Sequence, residues 1–170
     1  MMNVTIDIRS HNMAFEADFK RLNEDWITTY FWLEDSDIQV LNNPQKYILD
    51  KGGNVLFALH DNKPVGTCAL LVIDGLTCEL AKMVVDPDYH GQGIGYMLGE
   101  AFIEKARERG FSRIVLEGNT KMEASIALYR KLGFQEIPME LDIRNSTAHK
   151  RCNIVMELVL NPANHPEYFI

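Results

Sequence analysis

From Cys78 to Gly110 the chain reads CELAKMVVDPDYHGQGIGYMLGEAFIEKARERG. This pattern predicts a buried strand, a glycine-rich turn and a long amphipathic helix that ends at a C′ glycine. Gly91, Gly93 and Gly95 alternate at the turn, and without a Cβ their backbone can adopt left-handed φ values close to a ligand. Amides of the turn would converge with the positive end of the helix dipole, so the segment predicts a phosphate or pyrophosphate site.

The residues before this stretch predict a helical layer followed by an antiparallel ribbon. A strand is expected near residues 3–9 and a short helix over 44–49, while Asp74-Gly75 marks a hairpin between apolar runs at 65–73 and 76–85. A further helix is indicated by apolar residues at helical spacing: Phe15, Phe19, Leu22 and Trp26. The aromatic cluster that overlaps its end is either core or the lining of a substrate pocket: Trp26, Tyr30, Phe31 and Trp32.

The residues after Gly110 predict a strand at 113–116, then a helix, and two last strands near 134–137 and 152–160 around a polar loop, 142–151. The inner face of that helix is expected to hold four residues: Ala124, Ala127, Leu128 and Leu132. Residues 1–170 therefore predict one mixed α/β domain with a mainly antiparallel sheet of about seven strands and helices on both faces.

Charge and composition exclude several classes of function. The net charge of −7 argues against nucleic acid or an anionic membrane as a partner, because both need a basic surface. The N-terminus lacks the apolar segment of a signal peptide, which predicts a cytoplasmic protein. The spacing of Cys68, Cys78 and Cys152 indicates buried, inert thiols, and no grouping of histidines suggests a metal site.

A dinucleotide site is the obvious rival for the glycine turn. Its spacing does not fit, because Leu98 stands at the third glycine position and residues 86–90 separate the strand from Gly91. The nucleotide motif Gly-Lys-Ser/Thr is absent from the sequence as well.

The stretch His90-Gly91-Gln92-Gly93-Ile94-Gly95 resembles the Gln/Arg-x-x-Gly-x-Gly/Ala signature of the GNAT superfamily of N-acetyltransferases. Residues 127–134, ALYRKLGF, are similar to the second signature of that family, LYxKLGF. Together the signatures span about residues 78–134. Two positions depart from the pattern: His90 replaces the usual Gln or Arg, and Met122 stands where an asparagine is common.

The resemblance implies acetyl-CoA as co-substrate, without a metal, with pantetheine beside the strand and pyrophosphate on the turn. The residues expected to bind it are Met83, Val84, Val85, His90, Gly91, Gln92, Gly93, Ile94, Gly95, Tyr96, Asn119 and Tyr129. A backbone amide of Val84 or Val85 is expected to stabilise the oxyanion. Asn119 is alternatively a turn residue.

Glu79 and Tyr129 are the candidate catalytic residues. An amine of pKa about 10.4 must lose a proton before it attacks a thioester, and Glu79 is the candidate base. Strand alternation places it on one face with Ala81, Met83 and Val85; the alternative is a carboxylate paired with a nearby cation such as Arg113 or the neighbours of Lys82. Within the LYxKLGF-like segment, the Tyr129 hydroxyl is expected to protonate the leaving thiolate, and packing is the alternative role.

The leading hypothesis is an N-acetyltransferase that acts on a primary amine of a small molecule or peptide by direct attack in a ternary complex. The alternatives are a non-catalytic acyl-CoA-binding module and another kind of nucleotide-binding protein. The acceptor is expected between the early helices and the loop 142–151, where Glu34, Asp35 and Asp37 either bind a cation or form a solvated face. The chain is compatible with a homodimer.

Overall fold

The computed structural model describes residues 4–142, 144 and 149–161. These residues form a seven-stranded sheet in the order β1-β2-β3-β4-β5-β7-β6. The strands are β1 (Asp7–Ser10), β2 (Asn54–His60), β3 (Lys63–Val72), β4 (Thr77–Val85), β5 (Arg113–Gly118), β6 (Gln135–Ile137) and β7 (Ile154–Val159). β4 and β5 pair in parallel, and the other neighbours pair antiparallel. The predicted fold class is confirmed.

Helices cover both faces of the sheet. They are α1 (Glu16–Tyr30), α2 (Asp35–Asn42), α3 (Pro44–Tyr47), α4 (Ile94–Glu108) and α5 (Glu123–Lys131). On one face, Phe19 and Ile27 of α1 and Leu41 of α2 pack against the sheet. On the other face, α4 buries Leu98 and Phe102, and α5 buries Ile126. Two separate apolar cores therefore flank the sheet.

Two local predictions are confirmed where turn chemistry fixes the backbone. The carboxylate of Asp74 accepts hydrogen bonds from the amides of Leu76 and Thr77, both at 2.8 Å, and so closes the predicted hairpin. Helix α4 ends before Gly110, whose φ of 82° is the left-handed value expected of a C′ glycine.

Helix α2 was not predicted, because its acidic start was interpreted as a binding or solvated run. Glu34 and Asp37 form a capping box: the Glu34 side chain receives an amide from the first turn and the Asp37 carboxylate accepts the Glu34 amide at 2.9 Å. The predicted inner face of α5 is also partly wrong. Ala124 and Ala127 are exposed, and Ile126 is buried instead.

Strand β4 contains a β-bulge that the alternation argument did not anticipate. Lys82 has a φ of 53°, and the register with β3 shifts between the Thr67–Val84 and Ala69–Ala81 pairs. A bulge adds one residue and inverts the alternation of faces beyond it. Glu79 and Ala81 therefore lie on the face of α1 and α2, whereas Met83 and Val85 pack on the α4 side. The predicted shared face is wrong.

The bulge coincides with a gap in the sheet. β4 pairs with β5 only from Thr77 to Glu79, opposite Arg113 to Val115, and the two strands diverge beyond these residues. The structure thus places an open seam between β4 and β5, beside the glycine turn.

Among the described helices, none is long and apolar enough to cross a membrane.

Candidate active site

The glycine turn has the backbone conformation that the sequence predicts. Gly91 and Gly93 have φ values of 77° and 79°, and a Cβ at either position would meet nothing within 4 Å. Gly95 is helical, and its role is packing, because a Cβ there would lie 3.0 Å from Leu128 of α5. The turn is therefore both left-handed and open to a ligand.

The start of α4 carries no side-chain cap. Gly93 is the N-cap residue, and the first hydrogen bond of the helix runs from the Met97 amide to the Gly93 carbonyl at 3.0 Å. The amides of residues 94–96 precede that bond, so helix geometry leaves them without intrahelical acceptors. They point to the same place as the positive end of the helix dipole.

His90 has a structural partner. Its Nε2 lies 2.8 Å from the Val85 carbonyl oxygen, and since a carbonyl only accepts, this nitrogen donates. The imidazole thereby ties the start of the turn to the end of β4. Gln92 is exposed at the turn, and the Tyr96 ring lies 4.7 Å below the ammonium of Lys131.

The end of β4 presents main-chain donors to the gap. The Asp86 amide donates to the Val65 carbonyl of β3 at 2.8 Å. Because consecutive amides of a strand point to opposite sides, the amides of Val85 and Met83 face away from β3. The amide of Val84 faces β3, so of the two oxyanion donors considered, Val85 is the one directed into the gap.

A cavity of about 390 Å³ opens beside this gap. Its wall is formed by β4, the end of β5, α5 and the three N-terminal helices, and both candidate catalytic residues, Glu79 and Tyr129, line it. Met83 and Asn119 line it as well. The fold therefore brings Glu79 and Tyr129, which are 50 positions apart in the sequence, to one cavity.

Tyr129 meets the cavity from α5. Its ring packs edge-on against Phe134, with centroids 6.2 Å apart. None of the described residues hydrogen-bonds its hydroxyl. Burial raises the pKa of Tyr129 to about 12. The phenol therefore keeps its proton at neutral pH and can act as a donor.

Glu79 lies in a buried ion pair rather than alone. Its carboxylate accepts a hydrogen bond from Arg144 Nη1 at 2.7 Å, and the same guanidinium lies 3.2 Å from Glu117. Burial raises the pKa of Glu79; Arg144 opposes this rise, and the charge of Glu117 adds to it. Arg113 is not the ion-pair partner of Glu79 in the structure, because its Nε binds the Glu157 carboxylate at 2.6 Å.

Glu117 has the opposite electrostatic behaviour. Burial works against ionisation, yet the hydrogen bond from His149 and the charge of Arg144 keep the pKa of Glu117 below its ordinary value. Two carboxylates that line one cavity thus have pKa values displaced in opposite directions, a common arrangement for acid–base chemistry. Glu117 was not predicted as a site residue: the sequence suggests it only as the acid of a dinucleotide-binding motif, whose glycine spacing does not fit.

A second buried cluster centres on Asp37, which is fully buried. Its carboxylate binds Lys82 and both terminal nitrogens of Arg151, at 2.5 and 2.9 Å. His149 bridges Asp37 and Glu117. Burial disfavours the charge, but His149, Arg151 and Lys82 together hold the pKa of Asp37 well below its ordinary value. This cluster joins α2 to β4 and to the segment before β7.

Sequence analysis missed this cluster. The polar segment 142–151 was expected to be a loop, and its described residues Arg144, His149 and Arg151 are largely buried. The local signal is weak, because Glu34 is not a usual N-cap residue and Glu34-x-x-Asp37 departs from the Ser/Thr-x-x-Glu/Gln pattern of a capping box. No local signal indicates which basic residues meet Asp37.

The side chain of Asn119 makes hydrogen bonds within the protein. The Asn119 side chain donates to the Arg151 carbonyl at 2.7 Å and accepts the Lys121 amide at 2.9 Å, as a turn residue does.

Cys78 is buried on the α4 side, but Cys152 lines the cavity. Cys78, although adjacent to Glu79 in the sequence, is therefore not the thiol that faces the cavity. Within the described ranges, no group of three or more potential ligands is arranged to hold a metal ion.

Known proteins resemble the chain in sequence and in fold. The model of the acetyltransferase (GNAT) family matches residues 13–134. The ribosomal protein bS18 alanine N-acetyltransferase of Escherichia coli is 34% identical over 107 residues, which cover 62% of this chain and 71% of that protein. The N-acetyltransferase YjgM of E. coli is 39% identical over 79 residues, so the match spans about half the length of each chain, 46%. The structure of yncA from Salmonella typhimurium with its cofactor acetyl-CoA superimposes with a TM-score of 0.71 at 22% identity, covering 95% of this chain and 98% of that one.

Proposed function

Since the chain belongs to the GNAT family of acetyltransferases, we propose that it transfers an acetyl group from acetyl-CoA to a primary amine. One observation carries the proposal. The uncapped start of α4, with Gly91 and Gly93 in left-handed conformations, adjoins the β4–β5 gap, which leads into the cavity that Tyr129 lines. A diphosphate on the turn would therefore place a thioester within reach of Tyr129.

The turn is proposed to hold the pyrophosphate through main-chain donors. The amides around residues 92–96 and the helix dipole suit a diphosphate, and the imidazole of His90 contributes by fixing the turn to β4. Met83, Val84 and Val85 would flank the pantetheine arm. The inward-directed Val85 amide is the proposed donor to the oxyanion.

Proton transfers are assigned to two cavity residues. Glu79 takes one proton from the ammonium, directly or through water, and the neutral amine nitrogen attacks the thioester carbonyl carbon, whose oxygen becomes an oxyanion. The oxyanion then collapses to the amide carbonyl as the carbon–sulfur bond breaks. The thiolate takes its proton from the Tyr129 hydroxyl, and the remaining extra proton of the nitrogen returns to the Tyr129 oxygen. The raised pKa of Glu79 favours its role as base, because a base works best when its pKa approaches the working pH.

Direct attack is favoured over an acyl-cysteine intermediate. Burial raises the pKa of Cys152, the cavity thiol, to about 12, and that of Cys78 likewise to about 12. The thiolate is the nucleophilic form of cysteine, and neither residue would be ionised near neutral pH. A ternary complex of enzyme, acetyl-CoA and amine therefore remains the proposed route.

The experiment is release of the CoA thiol from acetyl-CoA in the presence of a panel of primary amines and peptide N-termini. We expect turnover with at least one of them. A non-catalytic acyl-CoA-binding module would bind acetyl-CoA and release no thiol with any amine. A nucleotide-binding protein of another kind would be stabilised by NAD or ATP and not by acetyl-CoA; a ligand at 100 times its Kd adds about 2.7 kcal/mol to the free energy of unfolding.

Location and partners are inferred from the sequence and the fold. The acidic net charge supports a protein without a nucleic-acid partner, and we infer a cytoplasmic location and an acceptor that is a small molecule or a peptide. A homodimer is compatible with the fold and is tested by light scattering.

A further inference from the structure

The wall that the N-terminal helices and β3 add to the cavity is largely apolar. Its main side chains are Trp26, Phe31, Val40, Ile48, Leu71 and Ile73. The rings of Trp26 and Phe31 lie 5.9 Å apart and form the aromatic end of this wall. We call these six residues the apolar wall. It lies on the same sheet face as Glu79, across the bulge from the cofactor gap.

The charged groups on the cavity are unequally distributed. Among the described residues, the carboxylates that line it are Glu79 and Glu117, and both are engaged by Arg144. Four lining residues are cationic or can become so: Lys51, Lys82, His149 and Arg151. The apolar wall itself contains no carboxylate, and Lys51 stands beside it, 5.6 Å from the Tyr47 ring.

The acidic run 34–37 does not supply a counter-charge either. Asp37 is fully buried beneath Lys82 and Arg151. Glu34 accepts the Lys150 amide at 2.9 Å and lies 3.2 Å from Arg151 Nη1. Asp35 is exposed and does not line the cavity. The hypothesis that this run binds a cationic acceptor is therefore not supported, because Glu34 and Asp37 already hold cations of the protein and Asp35 lies outside the cavity.

We propose that the acceptor presents a primary amine with a single positive charge on an apolar body, aromatic or branched, that packs on the apolar wall. This inference rests on the proposed function. The amine end lies at Glu79, and the body displaces water from apolar surface at a gain of about 25 cal/mol per Å². A second ammonium on the acceptor would lose water without meeting a free carboxylate among the cavity residues that the structure describes, and it would approach Lys51.

The test compares two amines that have the same six-carbon chain. n-Hexylamine and 1,6-diaminohexane differ only in a terminal ammonium, and 2-phenylethylamine adds an aromatic body. CoA thiol release is measured for each at one pH. We expect kcat/KM for n-hexylamine to exceed that for 1,6-diaminohexane at least about tenfold, and 2-phenylethylamine to equal or exceed n-hexylamine.

A matched pair of variants reverses the selection. Gln39→Glu places a carboxylate on the cavity from α2, whereas Gln135→Glu makes the same charge change on exposed β6 outside it. Gln39→Glu is expected to raise the ratio of diamine to monoamine kcat/KM about tenfold, since a charge partner at the wall offsets the cost of the second ammonium. Gln135→Glu is expected to leave this ratio as in the parent protein.

A tetrapeptide with N-terminal phenylalanine distinguishes the source of the amine. A kcat/KM above that of 2-phenylethylamine identifies a polypeptide terminus, and a lower value identifies a free small amine; both agree with the proposal. Diamine turnover equal to or above that of the monoamine overturns it, while acetyl transfer stands. Absence of thiol release with every amine overturns the proposed function together with it.

Discussion

Tyr129 and Glu79 line one cavity, but their surroundings suit them to opposite proton-transfer roles. Burial raises the pKa of both groups, and only Glu79 has a buried cation beside it. A phenol that keeps its proton suits the donor role. A carboxyl whose pKa lies above its usual value suits the base role.

Tyr129→Phe removes the hydroxyl and leaves the ring contact with Phe134. We expect kcat to fall about 10²-fold, with little change in KM for acetyl-CoA, since general acid catalysis contributes about 10²–10⁴-fold. Steady-state kinetics measure this. Tyr30→Phe, at a ring 55% exposed on α1, is the control. Equal kcat values in Tyr129→Phe and the parent protein would contradict the assignment.

Glu79→Gln keeps the shape of the side chain and removes its charge. We expect a lower kcat and loss of the acid limb of the pH–rate profile, because that limb reports protonation of the base. If Glu79 serves only to pair with Arg144, the variant loses stability while its profile keeps the acid limb. Kinetics from pH 5 to 9, together with urea unfolding, separate the two outcomes.

Among the elements, the turn before α4 is the proposed pyrophosphate site, and its backbone conformation favours glycine. Gly93→Ala puts a Cβ at a φ of 79°, where an L-residue costs roughly 1–2 kcal/mol. Gly110→Ala meets the same strain at a φ of 82°, at the opposite end of α4. We expect both variants to lose similar stability, but only Gly93→Ala to weaken acetyl-CoA binding in calorimetric titration. Equal Kd values in the two would place the pyrophosphate elsewhere.

Buried ion pairs as well as apolar contacts fix helix α2 to the rest of the protein. Asp37→Asn leaves Lys82 and Arg151 buried without a full counter-charge, which typically costs about 3–5 kcal/mol. Asp35→Asn removes an exposed charge from the first turn of the same helix, where the dipole contribution is about 0.3–1 kcal/mol. Urea unfolding measures the difference. Similar losses in both would show that the Asp37 cluster adds little to stability.

The buried cluster gives the whole molecule a pH-dependent stability. Burial favours neutral imidazole, but the Asp37 carboxylate, 3.1 Å from Nε2, and the Glu117 carboxylate, hydrogen-bonded at Nδ1, outweigh it and raise the pKa of His149 above its ordinary value of about 6.5. A raised pKa contributes stability that is full below about pH 6.5 and is lost as pH rises through the folded-state value. Asp37 has a lowered pKa, so its contribution is lost only as pH falls below about 4.

We therefore expect the free energy of unfolding to decline from pH 6 towards pH 9 and His149→Gln to reduce this decline, to which the raised pKa of Glu79 also contributes. Asp37→Asn should reduce the same slope, because it removes one of the two acceptors that stabilise the imidazolium. Urea titrations across this pH range measure both variants. A slope in His149→Gln that matches the parent protein would exclude His149 as its source.

The sequence was sufficient where short segments determine their own conformation. The hairpin at Asp74-Gly75, the left-handed glycines 91 and 93, and the start and end of α4 follow from backbone preferences within a few residues. The sheet and the helices on both faces follow from hydrophobic periodicity. The glycine spacing predicts the proposed anion-binding turn, and the LYxKLGF-like segment predicts Tyr129 as a site residue, which the structure places on the cavity.

Only the tertiary structure decided which face of β4 holds Glu79 and which charges meet in the interior. The bulge at Lys82 is a register mismatch between two strands, so alternation within β4 could not reveal it. Asp37 meets Arg151 across 114 positions, and Glu79 meets Arg144 across 65. Coulomb attraction depends on distance in space and on burial, and neither is encoded in the neighbours of a residue along the chain.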